Sequence, residues 1–184
     1  MLRSWLEPRL HLWLARPWSM LGPILVVPAL AAAGCTLPDD AATEALACPD
    51  RPSFAAVSPF LEAGCGTLDC HGATPRPLRI RGFGGLRLDP ADNAGGTPTT
   101  SAEVDANYTS VCGLTPEAMA DVVHGAAAPD TLLLVTKARA AERHKGGAIV
   151  KAGDDGDRCM TSWLAGMVDA AACARAAKGQ GSGM

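Results

Sequence analysis

Aromatic side chains are scarce in this sequence: three Phe, one Tyr and four Trp make up 4% of its 184 residues. With so few large rings, and with 20 Gly and 14 Pro, the chain has material for only a modest core. Covalent links or a bound group must supply part of what that core lacks. Positive charge is short as well. From Cys35 onward 13 Lys and Arg stand against 18 Asp and Glu, a net charge of −5, which argues against nucleic acid as a partner because phosphates need a basic surface. After residue 34 no apolar run approaches the roughly 20 residues needed to cross a bilayer. There is no internal repeat. No Ser/His/Asp order, phosphate-cradling glycine loop or paired-carboxylate motif marks a hydrolase site. The stretch Asp154-Asp155-Gly156-Asp157 lacks the spacing and distal glutamate of a calcium loop and reads as a helix N-terminus.

What is present begins with a targeting segment. Arg3, Arg9 and Arg16 make a basic leader, and an apolar run from Met20 to Ala33 follows, too short and too proline-broken to span a membrane comfortably. Leu30-Ala31-Ala32-Ala33-Gly34-Cys35 resembles the lipobox of bacterial lipoproteins. That resemblance implies that residues 1–34 are removed as a signal peptide and that Cys35 carries lipid. The expected location is the cell envelope, facing the periplasm, with the outer membrane as the membrane concerned. The alternative is an ordinary signal peptide cut near Ala33; either way the protein is exported.

Residues 35–52, polar, acidic and proline-containing, read as a flexible tether. A helical domain is expected over 53–173, and the small, polar 174–184 reads as a disordered tail. Ser53 is a candidate N-cap for a helix whose Phe54, Val57 and Leu61 recur at helical spacing, with Pro59 expected to kink or restart it. Residues 72–100, rich in Gly and Pro, read as a long loop with a short extended piece at Leu86-Arg87-Leu88. Thr115-Pro116-Glu117 starts a second helix, and Asp130 could cap a short one over Leu132, Leu133 and Val135. His144-Lys145-Gly146-Gly147 is a turn. Asp154 or Asp155 begins a last helix with Cys159, Met160, Trp163, Leu164 and Met167 on one face. The fold class is therefore mainly α.

The residues that carry chemistry are Cys65-Gly66-Thr67-Leu68-Asp69-Cys70-His71. Two cysteines with a histidine directly after the second is the arrangement of c-type haem attachment: two thiols form thioethers with the haem vinyl groups, and the adjacent histidine ligates the iron. The gap between the cysteines is four residues, so the loop must bulge, and Gly66 tolerates the dihedrals this needs. For the second axial position His144 is the first candidate, with Met160 and Met119 behind it; His124, at a helix C-terminus, reads as a cap. Of the seven cysteines, Cys48, Cys112, Cys159 and Cys173 remain as disulfide candidates, with a Cys112–Cys159 pair first among several pairings that sequence cannot separate.

Phe54-Ala55-Ala56-Val57-Ser58-Pro59-Phe60-Leu61, Cys65, Cys70-His71-Gly72, Gly85-Leu86-Arg87-Leu88-Asp89, Pro129-Asp130-Thr131-Leu132-Leu133, His144-Lys145-Gly146-Gly147 and Trp163-Leu164-Ala165-Gly166 occur in the order found in planctomycete-type cytochrome c domains. Over residues 54–168 the chain resembles that family. The resemblance implies a small cytochrome c-like helical domain with long loops around one covalent haem, working as an electron carrier rather than an enzyme, with an unidentified redox protein as partner. His71 and His144 would then face each other across a cavity, their nitrogens roughly 4 Å apart if each lies about 2 Å from the metal. Cys65 and Cys70 would point into the same cavity without bonding to each other, and Trp163 would lie in the core near the haem edge. The competing reading is a haem-free envelope lipoprotein stapled by disulfides and serving as a binding or structural module.

Overall fold

The computed structural model describes residues 47–181; Cys35, the leader and most of the tether lie outside the described residues. Among the described residues the chain is mainly helical and has no strand. Its elements are α1 (Arg51–Cys65), α2 (Ser101–Cys112), α3 (Pro116–Val123), a 3-10 turn (Pro129–Thr131), α4 (Leu133–Ala138), α5 (Asp155–Leu164) and α6 (Ala170–Gly181). Helices α1, α5 and α6 pack on one another, and α2 lies against α1.

Helix α1 begins two residues before the expected Ser53 cap. The Asp50 carboxylate accepts from the Ser53 N–H at 3.0 Å, and Pro52 stands in the first turn, where its missing N–H costs nothing. The helix runs on through Pro59, because Phe54, Val57, Phe60, Leu61 and Cys65 bury one continuous face that spans the proline. Phe54 also anchors the aromatic cluster, its ring centroid 5.0 Å from that of Trp163 and 5.6 Å from that of Tyr108. Trp163, fully buried, donates from Nε1 to the Asp50 carbonyl at 3.3 Å. It is a core residue at the start of α1.

Both ends of the folded unit extend further than the sequence indicates. Residues 47–52 were assigned to the tether, yet Cys48 is bonded to Cys112 and the Tyr108 hydroxyl donates to the Pro49 carbonyl at 3.0 Å. Residues 174–181 were assigned to a disordered tail, yet they belong to α6, whose Ala172, Cys173 and Ala176 are buried. Small residues let α6 approach α1 closely, alanine favours the helix, and two links fix it to α5: the Cys159–Cys173 disulfide and the Arg175–Asp155 ion pair at 2.8 Å. The disulfides are thus Cys48–Cys112 and Cys159–Cys173, not Cys112–Cys159. In the chain-entropy account, loops of 64 and 14 residues contribute about 4 and about 3 kcal/mol.

Three smaller expectations also shift. Asp130 lies in the 3-10 turn, and α4 starts at Leu133 without a side-chain cap. Helix α5 ends at Leu164, so Met167 falls beyond it and is 80% exposed. Helix α2 has no counterpart in the sequence reading. It starts in a capping box, in which the Thr100 hydroxyl accepts from the Glu103 N–H and the Glu103 carboxylate accepts from the Thr100 N–H.

That glutamate does more than cap. Arg87, 3% exposed in its side chain, grips Glu103, 1% exposed, with two bonds of 2.8 and 3.1 Å. The remaining three guanidinium hydrogens go to the carbonyls of Asn93, Thr97 and Pro98, so the long 72–100 loop is closed around one ion pair. The Arg87 bonds, with those from the backbone of Thr100 and Leu88, hold the Glu103 carboxyl down to about 2 against an ordinary value of 4.5. The lowered value fixes the sign of its linkage: the stabilisation is full above about pH 4.5 and is lost as pH falls through about 2. Replacing Arg87 by Met should cost about 3–5 kcal/mol in urea unfolding, because Glu103 is left buried and unpaired. The acid-dependent loss of stability from this carboxylate should vanish with it, which unfolding curves between pH 5 and 2.5 would read.

Candidate functional site

The Cys-His segment begins where α1 ends. Cys65 is the last residue of the helix, and the chain then folds back so that the His71 N–H donates to the Cys65 carbonyl at 2.8 Å. Inside this turn the N–H groups of Cys70 and Gly72 both reach the Thr67 carbonyl at 2.9 Å. Glycine is required underneath: a Cβ at Gly72 or at Gly85 would overlap the Gly66 carbonyl oxygen. The backbones of three separate stretches therefore meet in one place, which leaves no freedom in the height of the turn.

The loop after His71 turns back to orient its ring. The Ile80 N–H donates to the His71 carbonyl at 2.9 Å, and His71 Nδ1 lies 3.0 Å from the Leu78 carbonyl. A carbonyl can only accept, so Nδ1 carries the proton and Nε2 of the neutral ring keeps its lone pair free. Burial pushes the His71 imidazole below its ordinary range, with smaller contributions from His144 and Arg76 in the same direction and an opposing one from the Leu78 bond. The neutral ring is thus favoured at pH 7.

His144 is presented by a second, separate scaffold. Its Nδ1 lies 2.9 Å from the Gly147 carbonyl, while the Gly147 N–H donates back to the His144 carbonyl at 3.0 Å. Gly147 has φ +72°, open to glycine at no steric cost, and a Cβ at Gly146 would press on the His144 ring. The loop carrying this turn is clamped at its base. Arg139, capping α4, holds Asp157 of α5 with bonds of 2.6 and 2.9 Å, and the N–H groups of Ile149 and Val150 both donate to the Ala138 carbonyl.

The two rings come together with centroids 6.0 Å apart and planes 12° from parallel. Two cavities adjoin them. One, about 230 Å³, is walled by Cys65, Leu78, Leu134, Ile149 and Met160 as well as both histidines. The other, about 260 Å³, contains Asp69, Cys70 and Arg76 with the same two rings. Cys65 is buried and Cys70 half-buried, and neither is in a disulfide. The sulfurs thus flank the histidine pair, one in each adjoining cavity rather than both in one. Burial, and secondarily the nearby Cys70, pushes the Cys65 thiol up to about 12.

The separation of the two ring centres is compatible with two imidazoles sharing one metal, as in a bis-histidine haem. Two imidazole nitrogens at about 2.0 Å from one metal, each about 1.1 Å from its ring centre, separate the centres by about 6.2 Å, against 6.0 Å here. Anchoring Nδ1 to a backbone carbonyl is the usual outer-shell support of a ligating histidine, and both rings have it. No group of three or more His, Cys, Asp or Glu among the described residues could hold a bare ion.

Of the other candidates, Met160 is buried and does line the cavity beside Cys65, whereas Met119 is buried in the core away from both. His124 caps α3 with its backbone N–H on the Ala120 carbonyl. Trp163 lines neither cavity. Sequence reasoning missed Arg76, Lys137, Arg143 and Lys145, which also line this site; the Arg-His-Lys triplet at 143–145 was the available signal. No family model, no curated protein and no solved structure matches the chain.

The glycine contact gives a direct check. Gly85→Ala should lower stability by about 3 kcal/mol, since rigid backbone must move to admit the methyl group. Gly84→Ala, with open space around it, should stay within about 0.5 kcal/mol of wild type. Thermal unfolding of the two variants separates these outcomes.

Proposed function

We propose that this protein is a monohaem c-type cytochrome, held by a lipid on Cys35 at the periplasmic face of a bacterial envelope membrane, that carries electrons rather than catalysing a reaction. The observation that carries the reading is the His71–His144 pair: parallel rings at 6.0 Å, each with Nδ1 tied to a carbonyl. A bound haem supplies one-electron redox chemistry. The chain's residues do the rest. His71 and His144 would offer Nε2 to its iron, and Cys65 and Cys70 would hold it through thioethers formed by adding their S–H bonds across its vinyl groups. Leu78, Leu134, Ile149 and Met160 keep water from one side. Bis-histidine ligation lowers the potential relative to histidine–methionine ligation. Burial, which pushes the Cys65 thiol up to about 12, keeps that sulfur protonated in the folded chain.

One observation favours the second reading. The Cys48–Cys112 and Cys159–Cys173 disulfides would equally staple a haem-free binding module. Expression with a c-type maturation system decides between them. The expected result is a haem-staining band that survives denaturing electrophoresis and the sharp visible bands of a reduced low-spin haem. Cys65→Ser with Cys70→Ser should abolish the band, while His144→Ala should keep the band and change the spectrum to that of a weaker axial ligand. A Cys65–Cys70 disulfide with no covalent haem would overturn the proposal in favour of the stapled module.

The anchor is tested separately. Cys35→Ala should release a soluble periplasmic form; a variant that stays with the membrane fraction would show that something else holds it there.

A further inference from the structure

Cations in this chain fall into two groups. Arg51, Arg87, Lys137, Arg139, Arg158 and Arg175 are each paired with a carboxylate. The arginines without one among the described residues are Arg76, Arg79, Arg81 and Arg143. All four line the histidine cavities or the groove beside them, and Lys145 joins them there. In a chain of net charge −5 from Cys35 onward, these four arginines and Lys145 gather at one site, while Lys151 stands apart from it.

Local geometry explains how the strip is displayed. Leu78 and Ile80 are buried while Arg79 is exposed and Arg81 half-exposed, the alternation of extended backbone. Helix α2 holds that backbone in place. Ser110 Oγ accepts from the Arg79 N–H at 2.8 Å, and Asn107 both accepts from the Arg81 N–H at 2.6 Å and donates to the Arg81 carbonyl at 2.7 Å. The backbone is thereby occupied and the two guanidiniums stand free, on side chains that leave the segment about 6.6 Å apart. They enter a groove of about 420 Å³ with Thr109 and Ser110 on its floor and no acidic residue in its walls. Pro77 lines both this groove and the histidine cavity beside Cys65. Asp69 is the one acid among the lining residues of the three cavities, and it is exposed.

We propose that Arg76, Arg79 and Arg81, with Arg143 and Lys145, form the docking surface for an acidic redox protein that exchanges one electron at the His71–His144 site. This rests on the cytochrome reading above. Arginine suits the task because its rigid fork takes carboxylates bidentately. Charge around an electron-transfer site also governs encounter rate more than affinity.

The proposal makes a prediction opposite in sign to that of net charge. Haem-loaded, reduced protein is oxidised by ferricyanide, a small anion that takes one electron to become ferrocyanide, and in parallel by the cation tris(phenanthroline)cobalt(III). A protein behaving as its net charge would react faster with ferricyanide as salt rises. Local steering by the strip predicts the reverse, a fall of about tenfold between low and physiological salt. Arg79→Glu with Arg81→Glu should invert that dependence and speed the cobalt reaction; neither side chain has a partner to lose. A ferricyanide rate that rises with salt in wild type overturns the proposal.

A second readout needs no haem. Fluorescent deca-glutamate should bind the full-length Cys35→Ala protein at low salt, and the double Arg→Glu variant should lose at least about tenfold in affinity. No binding overturns the docking surface even if haem is present. Binding by a protein that never acquires haem keeps the acid-binding strip but removes its redox role. If phosphatidylglycerol vesicles capture the protein through Arg79 and Arg81 while deca-glutamate does not, the strip faces lipid and the protein partner is wrong.

Discussion

The buried Arg87–Glu103 pair is the constraint on which the site depends. Glu103 closes the first turn of α2 through its bonds to Thr100 and accepts from the Leu88 N–H at 3.0 Å. Arg87 gathers the carbonyls of Thr97 and Pro98 around the same point. A loop with no ladder of its own is thereby fixed at the start of a helix. Once α2 is set, Asn107 and Ser110 stand where they can hold the backbone of Arg79 and Arg81, and the segment so held offers the Leu78 carbonyl to His71. The orientation of the first histidine is thus transmitted through side-chain bonds rather than through regular structure. Desolvating the pair is costly, and its return is specificity: few other arrangements would satisfy five guanidinium hydrogens and a carboxylate together.

His144 reaches the same place by a route that shares none of these contacts. Its loop is clamped by Arg139 and Asp157 between α4 and α5, and closed by Ile149 and Val150 on Ala138. Two scaffolds, one from the α1–α2 half of the chain and one from the α4–α5 half, hold two imidazoles near-parallel at 6.0 Å. Rigid support from outside the immediate site is what a ligand pair of fixed spacing requires. A group bound by both rings would join the halves of the fold.

Much of this was legible in the sequence where a signal was local. The Cys-His turn, the His144 turn, the Thr115-Pro116 helix start and the Asp154 cap are short patterns set by neighbouring residues, and the structure has each of them. The histidine pairing and the four stapling cysteines were expected as sets, without the pairings that only the fold decides. Illegible features were those in which a distant contact reverses a local tendency. Small polar composition made α6 look like a tail, because neither the surface of α1 nor the Cys159–Cys173 link shows in its own residues. Pro59 looked like a break, but a buried face on both sides of it outweighs one lost bond. The capping box at Thr100 and Glu103 was readable in principle. Its weak amphipathic pattern hid it, since Glu103 and Asn107 point inward to polar partners rather than to an apolar core.

How the six cysteines beyond Cys35 are used bears on which account of the molecule is stronger. Four form staples, and both staples lie where the chain would otherwise fray: Cys48 ties the lead-in of α1 to the end of α2, and Cys173 ties α6 to α5. Neither disulfide supports the cavities. Where the histidines meet, the structure relies instead on backbone bonds, close-packed glycines and ion pairs, and there the remaining two cysteines stay unpaired. A module that needed only stapling could place its third bond at this turn, four residues across, where loop closure returns least. Those thiols stay free beside two histidines whose Nδ1 atoms are both committed to backbone carbonyls, so the staples hold the ends of the fold while backbone bonds hold the turn that carries the histidine.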